Sequence, residues 1–282
     1  MAKEKLPHFL GIGAQKSATR WLYNQLKRHP EVYLTPVKEL HYFDRIRKTD
    51  AYSERFHLDV WKKNFFKFTS RAFGDLDWKL NYYFGKYSDE WYSSLFNMAK
   101  GRKSGEITPE YSILKKEDIE RIKDINPEMR IIYLLRDPVS RAWSHFRMHV
   151  RRSGLRYDQM SEKEVFKFIG STNCFIKGDY SNNLKRWYSV FDEEKIFTGY
   201  LEEVKENPEE LLRNVLSHIG VNVDSTHFQE TMEEPSHVGQ AIPIELKYHE
   251  FLREKYFHHN EELYKLLGNP IIKAWNSNKM VL

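Results

Sequence analysis

The amino-acid sequence predicts an α/β fold in which a mostly parallel central sheet is flanked by helices. Short apolar runs without charge, of which 131–135 is the clearest, are typical of buried strands. They alternate with longer segments whose apolar residues recur at helical spacing, and this alternation indicates parallel strands joined by helices. Such sheets bind ligands at the carboxyl ends of their strands, so the residues that follow each strand are the first candidates for a site.

The composition is that of a folded chain with a sizeable core. Of the 282 residues, 40% are hydrophobic and 15% are aromatic, so the chain does not have the composition of a disordered protein. Lys and Arg number 45 against 40 Asp and Glu, a net charge of +5. This mild excess suits an anionic ligand and does not argue for nucleic acid. Without an internal repeat or a clear linker, we predict a single domain over 1–282.

Cysteine content and hydropathy predict the compartment. Cys174 is the only cysteine, which excludes an intramolecular disulfide and favours a reducing environment. No apolar run has the length of a membrane span, and residues 1–5 lack the apolar core of a signal peptide. We therefore predict a cytoplasmic protein without a membrane span, and the sequence leaves its oligomeric state open.

The loop over residues 9–20 begins the predicted site. An apolar strand runs directly into it, and a helical pattern follows; the loop reads Gly11-Ile12-Gly13-Ala14-Gln15-Lys16-Ser17-Ala18-Thr19-Arg20. Glycines let the backbone approach a ligand, the first N–H groups of a helix bind anions, and Lys16 adds positive charge. The loop is P-loop-like, but Gln15 stands where the nucleotide P-loop has a glycine.

The elements after this loop are predicted from apolar runs and from their stop signals. Short strands are expected at 31–34 and 196–201, and a basic turn at 100–105. A loop with a short helix is expected at 153–175, and residues 221–243 are loop-rich. Helices are predicted at 90–96, at 116–125, from Pro138 onward, after 178–180, at 208–219 and at 244–267, the last of which ends at Gly268 and Pro270.

A second group of polar residues follows the strand 131–135. Arg136 leaves this strand at the same sheet edge as Lys16 if the strands are parallel, and Ser144 lies in the helix that follows. Asp137 can cap that helix, whose first position is a proline. Three further basic residues on the helix could steer an anionic acceptor, although a solvated helix face is the simpler explanation; they are Arg147, Arg151 and Arg152.

A third group, Lys38, Glu39 and His41, lies just beyond the strand 31–34. In an extended segment, residues two apart point to the same face, so both Glu39 and His41 could reach the cleft. Together with two phosphate-binding strand ends, this group suits the transfer of an anionic group from a nucleotide to a hydroxyl. A general base would take the proton, and Lys16 would stabilise the leaving group. No set of histidines and carboxylates has the spacing of a metal site, so we expect no metal requirement.

Two other functions are compatible with these residues. A P-loop kinase could be built on a related scaffold, and it would depend on ATP and Mg²⁺. The lack of glycine at position 15 and the Arg-Asp-Pro sequence after the strand argue against it. A non-catalytic anion-binding module would bind the same ligand without transferring a group.

The motifs resemble those of sulfotransferases that use 3′-phosphoadenosine 5′-phosphosulfate (PAPS), most closely the heparan sulfate sulfotransferases and their bacterial relatives. Residues 9–22 resemble the loop that binds the 5′-phosphosulfate, residues 135–144 resemble the 3′-phosphate motif, and residues 38–44 resemble the loop that carries the catalytic glutamate. The likeness recurs at 91–92, 105–111, 180–187 and 259–275.

The resemblance implies an enzyme that moves the sulfuryl group of PAPS to a hydroxyl, less readily to an amine, by in-line displacement. The product would be adenosine 3′,5′-bisphosphate (PAP), and the expected acceptor is a carbohydrate or a small alcohol, ahead of a peptide tyrosine. Glu39 would be the general base, with His41 as the alternative. The implied donor-binding residues are Lys16, Ser17, Ala18, Thr19 and Arg20 for the 5′-phosphosulfate, Arg136 and Ser144 for the 3′-phosphate, and Tyr180 as a weaker candidate.

The chain departs from the family pattern at three places. Ile107 stands where the family often has a lysine that helps the glycosaminoglycan enzymes. The late nucleotide loop is represented only by residues 237–240, without the usual cysteine pair. Residues 45–90 form a long, variable aromatic and basic insertion that could select the acceptor, although such aromatics more often form a satellite core.

Overall fold

The computed structural model describes residues 7–45, 76–223 and 242–277. Most of the predicted insertion at 45–90 and the predicted nucleotide loop at 237–240 lie outside these ranges.

Five parallel strands form one sheet, in the order β2-β3-β1-β4-β5. β1 is therefore central, and each of its five residues is buried. The predicted α/β fold with a parallel sheet flanked by helices is confirmed. The strands are β1 (Phe9–Gly13), β2 (Val32–Leu34), β3 (Lys103–Ile107), β4 (Arg130–Leu135) and β5 (Ile196–Tyr200).

The predicted basic turn at 100–105 is wrong from Lys103 onward, because this residue begins β3. β3 has one apolar side chain among its five residues, so hydropathy does not reveal it. The strand forms because it fills the position between β2 and β1, where its backbone pairs on both sides. A Cβ atom on Gly105 would lie 2.5 Å from the carbonyl oxygen of Phe9, so this close approach requires glycine.

Helices follow the strands much as the sequence predicts, and the bounds of the predicted helices at 116–125 and 208–219 are confirmed. The chain continues past Gly268 with a further helix, which the sequence did not predict; Pro270 starts this helix because proline is tolerated in a first helical turn. The helices are α1 (Thr19–Arg28), α2 (Leu76–Phe84), α3 (Asp89–Ser94), α4 (Lys116–Ile125), α5 (Pro138–Arg152), α6 (Glu162–Ile169), α7 (Thr172–Ile176), α8 (Tyr180–Tyr188), α9 (Leu201–Glu206), α10 (Pro208–Ile219), α11 (Leu246–Leu267) and α12 (Pro270–Ser277).

Side chains alternate between the two faces of the sheet, and each face has its own core. On one face, α1 and α10 pack against β4 residues such as Ile132 and Leu134. On the other face, Tyr133 of β4 packs with aromatic residues of α3 and α8. Because both faces are covered by helices, the ends of the strands are the part of the sheet left to form a site.

Some aromatic residues of the described part of the insertion belong to this second core. Trp78 is 5% exposed, its indole nitrogen donates to the carbonyl of Leu95 at 2.8 Å, and its ring stacks on Tyr82 at 5.1 Å. In the three described ranges, every helix is too short or too polar to cross a lipid bilayer. The predicted cytoplasmic location stays a prediction.

The close contact of β3 with β1 can be tested by replacing Gly105 with alanine. The new methyl group would meet a backbone oxygen that cannot move independently of β1, so we expect Gly105→Ala to lower the free energy of unfolding by about 3 kcal/mol in urea denaturation. Gly101→Ala is the matched control. Its φ of +81° strains alanine, but its Cβ would meet no atom within 4 Å, so its cost should be about 1 kcal/mol. Equal losses of unfolding free energy in the two variants would contradict the close contact between β3 and β1.

Candidate active site

The loop between β1 and α1 is built as an open helix N-terminus. Lys16 and Ala18 have left-handed backbone angles, with φ of 75° and 57°, and these turn the chain from the strand into α1. Ala18 is the N-cap residue and provides no side-chain hydrogen bond to the first turn, which contains no acidic residue. The N–H groups of this turn and the positive end of the helix dipole are therefore oriented to bind an anion.

Positive charge is concentrated around Lys16. The pKa of its amine is lowered to about 8, first by burial and then by the nearby guanidinium groups of Arg151, Arg136, Arg147 and Arg152. None of these five cations forms an ion pair within the described ranges. The three arginines of α5 therefore contribute to the electrostatic potential at the loop. The sequence favoured a solvated helix face as the explanation for them, and their effect on Lys16 goes beyond it.

Arg136 connects the β4 exit to the loop. Its Nη1 donates to the carbonyl of Lys16 at 3.1 Å, and its Nε is buried without a hydrogen-bond partner among the described atoms. Burial lowers the pKa of this guanidinium. Ser144 lies half-buried on α5, three and seven residues before Arg147 and Arg151 and so on the same helix face. Arg136, a predicted partner of the 3′-phosphate, thus lies beside the predicted loop for the 5′-phosphosulfate.

Two other residues that were predicted to bind the donor, Tyr180 and Ser17, are buried. Tyr180 is 1% exposed, and its hydroxyl donates to the carbonyl of Arg136 at 2.9 Å. It therefore supports the β4 exit and is not an exposed ligand contact. Ser17 is fully buried. Burial raises the pKa of the Tyr180 phenol, and the Ser17 hydroxyl has a smaller effect in the opposite direction. Asp137 caps α5 as predicted, accepting from the amides of Val139 and Ser140.

Glu39 and His41 belong to one chain of charged side chains. The Glu39 carboxylate lies 2.5 Å from the Lys38 amine and 3.8 Å from Nε2 of His41. The other ring nitrogen of His41 contacts Asp44 at 2.9 Å. Asp44 was not predicted as a functional residue; the signal for it was its position three residues after His41.

The electrostatics of this chain make Glu39 an anion and His41 a cation. Burial alone would raise the pKa of Glu39, but His41 and Lys38 outweigh it and lower that pKa to about 2. Burial alone would lower the pKa of His41, but Asp44 and Glu39 outweigh it and raise that pKa to about 9. A general base usually gains from a raised pKa, and Glu39 in the free protein shows the opposite.

The predicted extended conformation of this segment is wrong. Glu39 and His41 have φ angles of 68° and 57°, which are left-handed, so the backbone turns at both residues. Their side chains nevertheless lie on the same side, because the turn brings the carboxylate to the imidazole. Arg20 of α1 lies close enough to Lys38 to lower the pKa of its amine, behind the larger effect of burial. The segment is therefore a neighbour of the donor loop.

The remaining candidate positions are occupied by packing or by ion pairs. Ile107 is fully buried against Gly11 of β1, so no cation of β3 replaces the lysine of the family pattern. His259 pairs with Asp179 at 3.0 Å. Across the described part of the chain, no three His, Cys, Asp or Glu residues are grouped as metal ligands.

Sequence comparison assigns the family. A profile of the sulfotransferase family matches residues 7–225. The chain belongs to the sulfotransferase family. Mouse carbohydrate sulfotransferase 15 is 24% identical to it over 319 residues, covering 96% of this chain and 55% of the relative. Human bifunctional heparan sulfate N-deacetylase/N-sulfotransferase 3 is 23% identical over 306 residues, covering 95% of this chain and 31% of the relative. This sulfotransferase chain thus spans about half or less of these curated relatives.

Solved structures support the fold of this sulfotransferase. A sulfotransferase from Alicyclobacillus acidocaldarius superposes with a TM-score of 0.68 at 24% identity, covering 96% of this chain and 98% of that one. Mouse sulfotransferase SULT7A1 complexed with PAP gives a TM-score of 0.50 at 13% identity, covering 99% and 95%. The predicted family and fold are confirmed. The kinase alternative is set aside.

The charge around Lys16 predicts proton uptake on donor-site binding. At pH 8 the free Lys16 amine is about half protonated, because its pKa is about 8. A bound phosphate raises that pKa again, so PAP should bind at pH 8 with an uptake of roughly half a proton, and with less at pH 7. The uptake is measured from the dependence of the calorimetric binding enthalpy on the ionisation enthalpy of the buffer.

Two lysine variants make this measurement specific. Lys16→Met should abolish the uptake at pH 8, whereas Lys27→Met, which removes an exposed lysine of the adjoining helix α1, should retain it. An uptake that is equal in Lys16→Met and in the wild type would contradict the assignment.

Proposed function

We propose that this sulfotransferase transfers the sulfuryl group of PAPS to a hydroxyl of a carbohydrate, with Glu39 as the general base. The observation that carries the proposal is the meeting of two groups at one sheet edge. One is the cationic loop around Lys16, and the other is the ionised carboxylate of Glu39. Arg20 and Lys38 join them, since Arg20 lies in the first turn of α1 and acts on the amine that pairs with Glu39.

The residues around the loop fit a donor with two separate phosphate groups. The open N-terminus of α1 and Lys16 would hold the phosphosulfate, with its bridging oxygen near the amine. As the sulfur–oxygen bond breaks, negative charge grows on the leaving PAP, and a pre-placed cation stabilises that charge more than it stabilises the substrate. Arg136 and Ser144 would hold the 3′-phosphate, and the unpartnered Nε of Arg136 is one donor free to do so.

The low pKa of Glu39 is compatible with its role as a base. A free alcohol would not lose its proton to a carboxylate with a pKa of about 2. During transfer, however, the bond that forms between the acceptor oxygen and sulfur makes that proton strongly acidic, so a positioned carboxylate can accept it in the transition state. His41 is already protonated at neutral pH, because its pKa is about 9, and so it has no free site for the proton.

Two observations support a carbohydrate acceptor. The relatives that match this chain include a carbohydrate sulfotransferase and a heparan sulfate N-sulfotransferase. In addition, Arg20, Arg147, Arg151 and Arg152 have no ion-pair partner within the described segments, so positive charge borders the site on two sides. That charge would favour an acceptor that carries carboxylate or sulfate groups.

The reaction can be tested directly with radiolabelled PAPS and a panel of acceptors. The panel should include neutral oligosaccharides, uronic-acid oligosaccharides, small alcohols and a tyrosine peptide. We expect transfer to an oligosaccharide hydroxyl, faster for the acidic than for the neutral series at low ionic strength. PAP should bind in calorimetry without added metal and more tightly than ADP with Mg²⁺. Binding of PAP without transfer to any acceptor would instead support a non-catalytic module.

Removal of the base should separate turnover from donor binding. Glu39→Gln keeps the shape of the side chain but cannot accept the proton, so kcat should fall by about 100-fold or more. PAP affinity should stay within about twofold of the wild type, because Glu39 is placed on the acceptor side. Glu120→Gln, in an exposed glutamate of α4, is the control and should change neither quantity. Near-normal turnover in Glu39→Gln together with its loss in His41→Ala would assign the base to His41.

The charge of His41 should appear in the pH profile. The imidazolium holds Glu39 in place, and it is lost as the pH rises through the pKa of about 9, so turnover should decline on the alkaline side near that value. Asp44 is the first of the groups that raise this pKa. Asp44→Asn should therefore move the alkaline decline towards the ordinary histidine value of about 6.5. Asp124→Asn, at an exposed position of α4, should leave the profile unchanged, and an equal shift in both variants would refute the assignment.

A further inference from the structure

A second carboxylate lies beneath the proposed base. Glu106 of β3 is 1% exposed, and it accepts four hydrogen bonds. The hydroxyls of Tyr92 and Tyr111 donate to its Oε1 at 2.9 Å each. The hydroxyl of Thr108 and the amide of Leu40 donate to its Oε2 at 2.7 and 3.2 Å. Glu106 is thus the common acceptor of this cluster, although burial raises the pKa of its carboxyl.

Two of these hydrogen bonds lead into the segment that carries Glu39 and His41. The amide of Leu40 donates to Glu106 directly. The amide of Tyr42 donates to the Tyr111 hydroxyl at 2.9 Å, and that hydroxyl donates in turn to Glu106. The amides of Leu40 and Tyr42 are therefore both connected to the Glu106 carboxylate, the first directly and the second through the Tyr111 hydroxyl.

The backbone of this segment needs such anchors. The left-handed φ angles of Glu39 and His41 each cost about 1 kcal/mol or more for a residue with a Cβ atom. The side chains of Leu40 and Tyr42 are 2% and 0% exposed and pack in the core. The side chains of Glu39 and His41 are 41% and 23% exposed. Glu106 thus fixes the residues whose side chains point inward, and their neighbours are thereby presented to the cleft.

Glu106 also acts on the charges of the segment. It raises the pKa of Lys38 against the larger lowering caused by burial. A protonated Lys38 is the partner that lies 2.5 Å from the Glu39 carboxylate. When Glu106 is ionised, it therefore favours the charged form of the lysine that orients Glu39.

We propose that Glu106 is a positioning residue for sulfuryl transfer, which holds the backbone at Leu40 and Tyr42 so that Glu39 meets the acceptor. This inference rests on the proposed role of Glu39 as the base. The sequence alone does not indicate this role of Glu106, because a charged residue at the end of a strand is equally compatible with an exposed position.

The test uses two tyrosines that differ in one respect. Tyr92 and Tyr111 are both fully buried, and each donates to the same oxygen of Glu106 at the same distance. The Tyr111 hydroxyl also accepts from the Tyr42 amide, whereas the hydrogen bonds of the Tyr92 hydroxyl within the described residues end at Glu106. Tyr111→Phe and Tyr92→Phe therefore each remove one equivalent hydrogen bond to Glu106. Only Tyr111→Phe also removes the hydrogen bond from the Tyr42 amide. Glu106→Ala is avoided, because it would leave four buried donors unpaired and endanger folding.

Three measurements are made on each variant of the 282-residue chain: amide hydrogen exchange in peptides covering residues 38–44, PAP affinity by calorimetry, and kcat with the best oligosaccharide of the acceptor panel. Tyr111→Phe should speed exchange at Tyr42 by about tenfold and lower kcat by about tenfold or more. Its PAP affinity should stay within about twofold of the wild type. Tyr92→Phe should lose similar stability in urea but keep exchange and kcat within about twofold of the wild type.

The positioning role would be overturned if the two variants gave the same exchange and the same kcat, or if Tyr111→Phe left exchange at Tyr42 unchanged. A wild-type protein that transfers to no acceptor would refute the proposed function. The exchange comparison would still decide whether Glu106 holds the segment, so the two failures are distinguishable. As a further readout, Glu106→Gln should lower kcat while PAP affinity is retained, and retention of full kcat would also overturn the inference.

Discussion

Unneutralised positive charge at the carboxyl edge of the sheet is the constraint on which the donor site depends. Burial is the largest cause that lowers the pKa of Lys16 there to about 8, and repulsion from four nearby arginines adds to it. The fold tolerates this repulsion because the packing of β1 and β4 fixes the backbone that carries the charges. Repulsion that is relieved only when an anion binds strengthens the binding of that anion, so the free protein is already arranged for a polyanionic donor.

On the proposed acceptor side, by contrast, the charged side chains are paired with one another. Glu39, His41, Asp44 and Lys38 neutralise one another in a chain of short contacts. Pairing lowers the pKa of the carboxylate and raises that of the imidazole. The chain therefore has one defined charge state across the neutral pH range, and it orients the carboxylate without making it a strong base. A weak but well-placed base suits a reaction in which the acceptor proton becomes acidic only as the new bond forms.

Glu39 and Glu106 show how environment separates the properties of two carboxylates. Glu39 is partly exposed and has cationic partners, so its pKa is low. Glu106 is buried among hydroxyls and one amide, and desolvation raises its pKa despite four hydrogen bonds. The first can meet a substrate. The second acts on the backbone and on Lys38, and the sheet makes this possible because Glu106 and Ile107 point to opposite faces of β3.

The amino-acid sequence by itself determined the parallel α/β fold, the loop between β1 and α1 and the sulfotransferase family, because those features depend on local patterns. Apolar runs mark β1 and β4, and the glycines, Lys16 and the Arg136 motif follow them directly in the chain. The tertiary structure alone decided which side chains share a charge environment. Arg151 reaches Lys16, Tyr111 reaches Tyr42, and β3 becomes a strand only because β1 and β2 flank it. These relations join residues far apart in the sequence, and pairing and burial, not local propensity, bring them together.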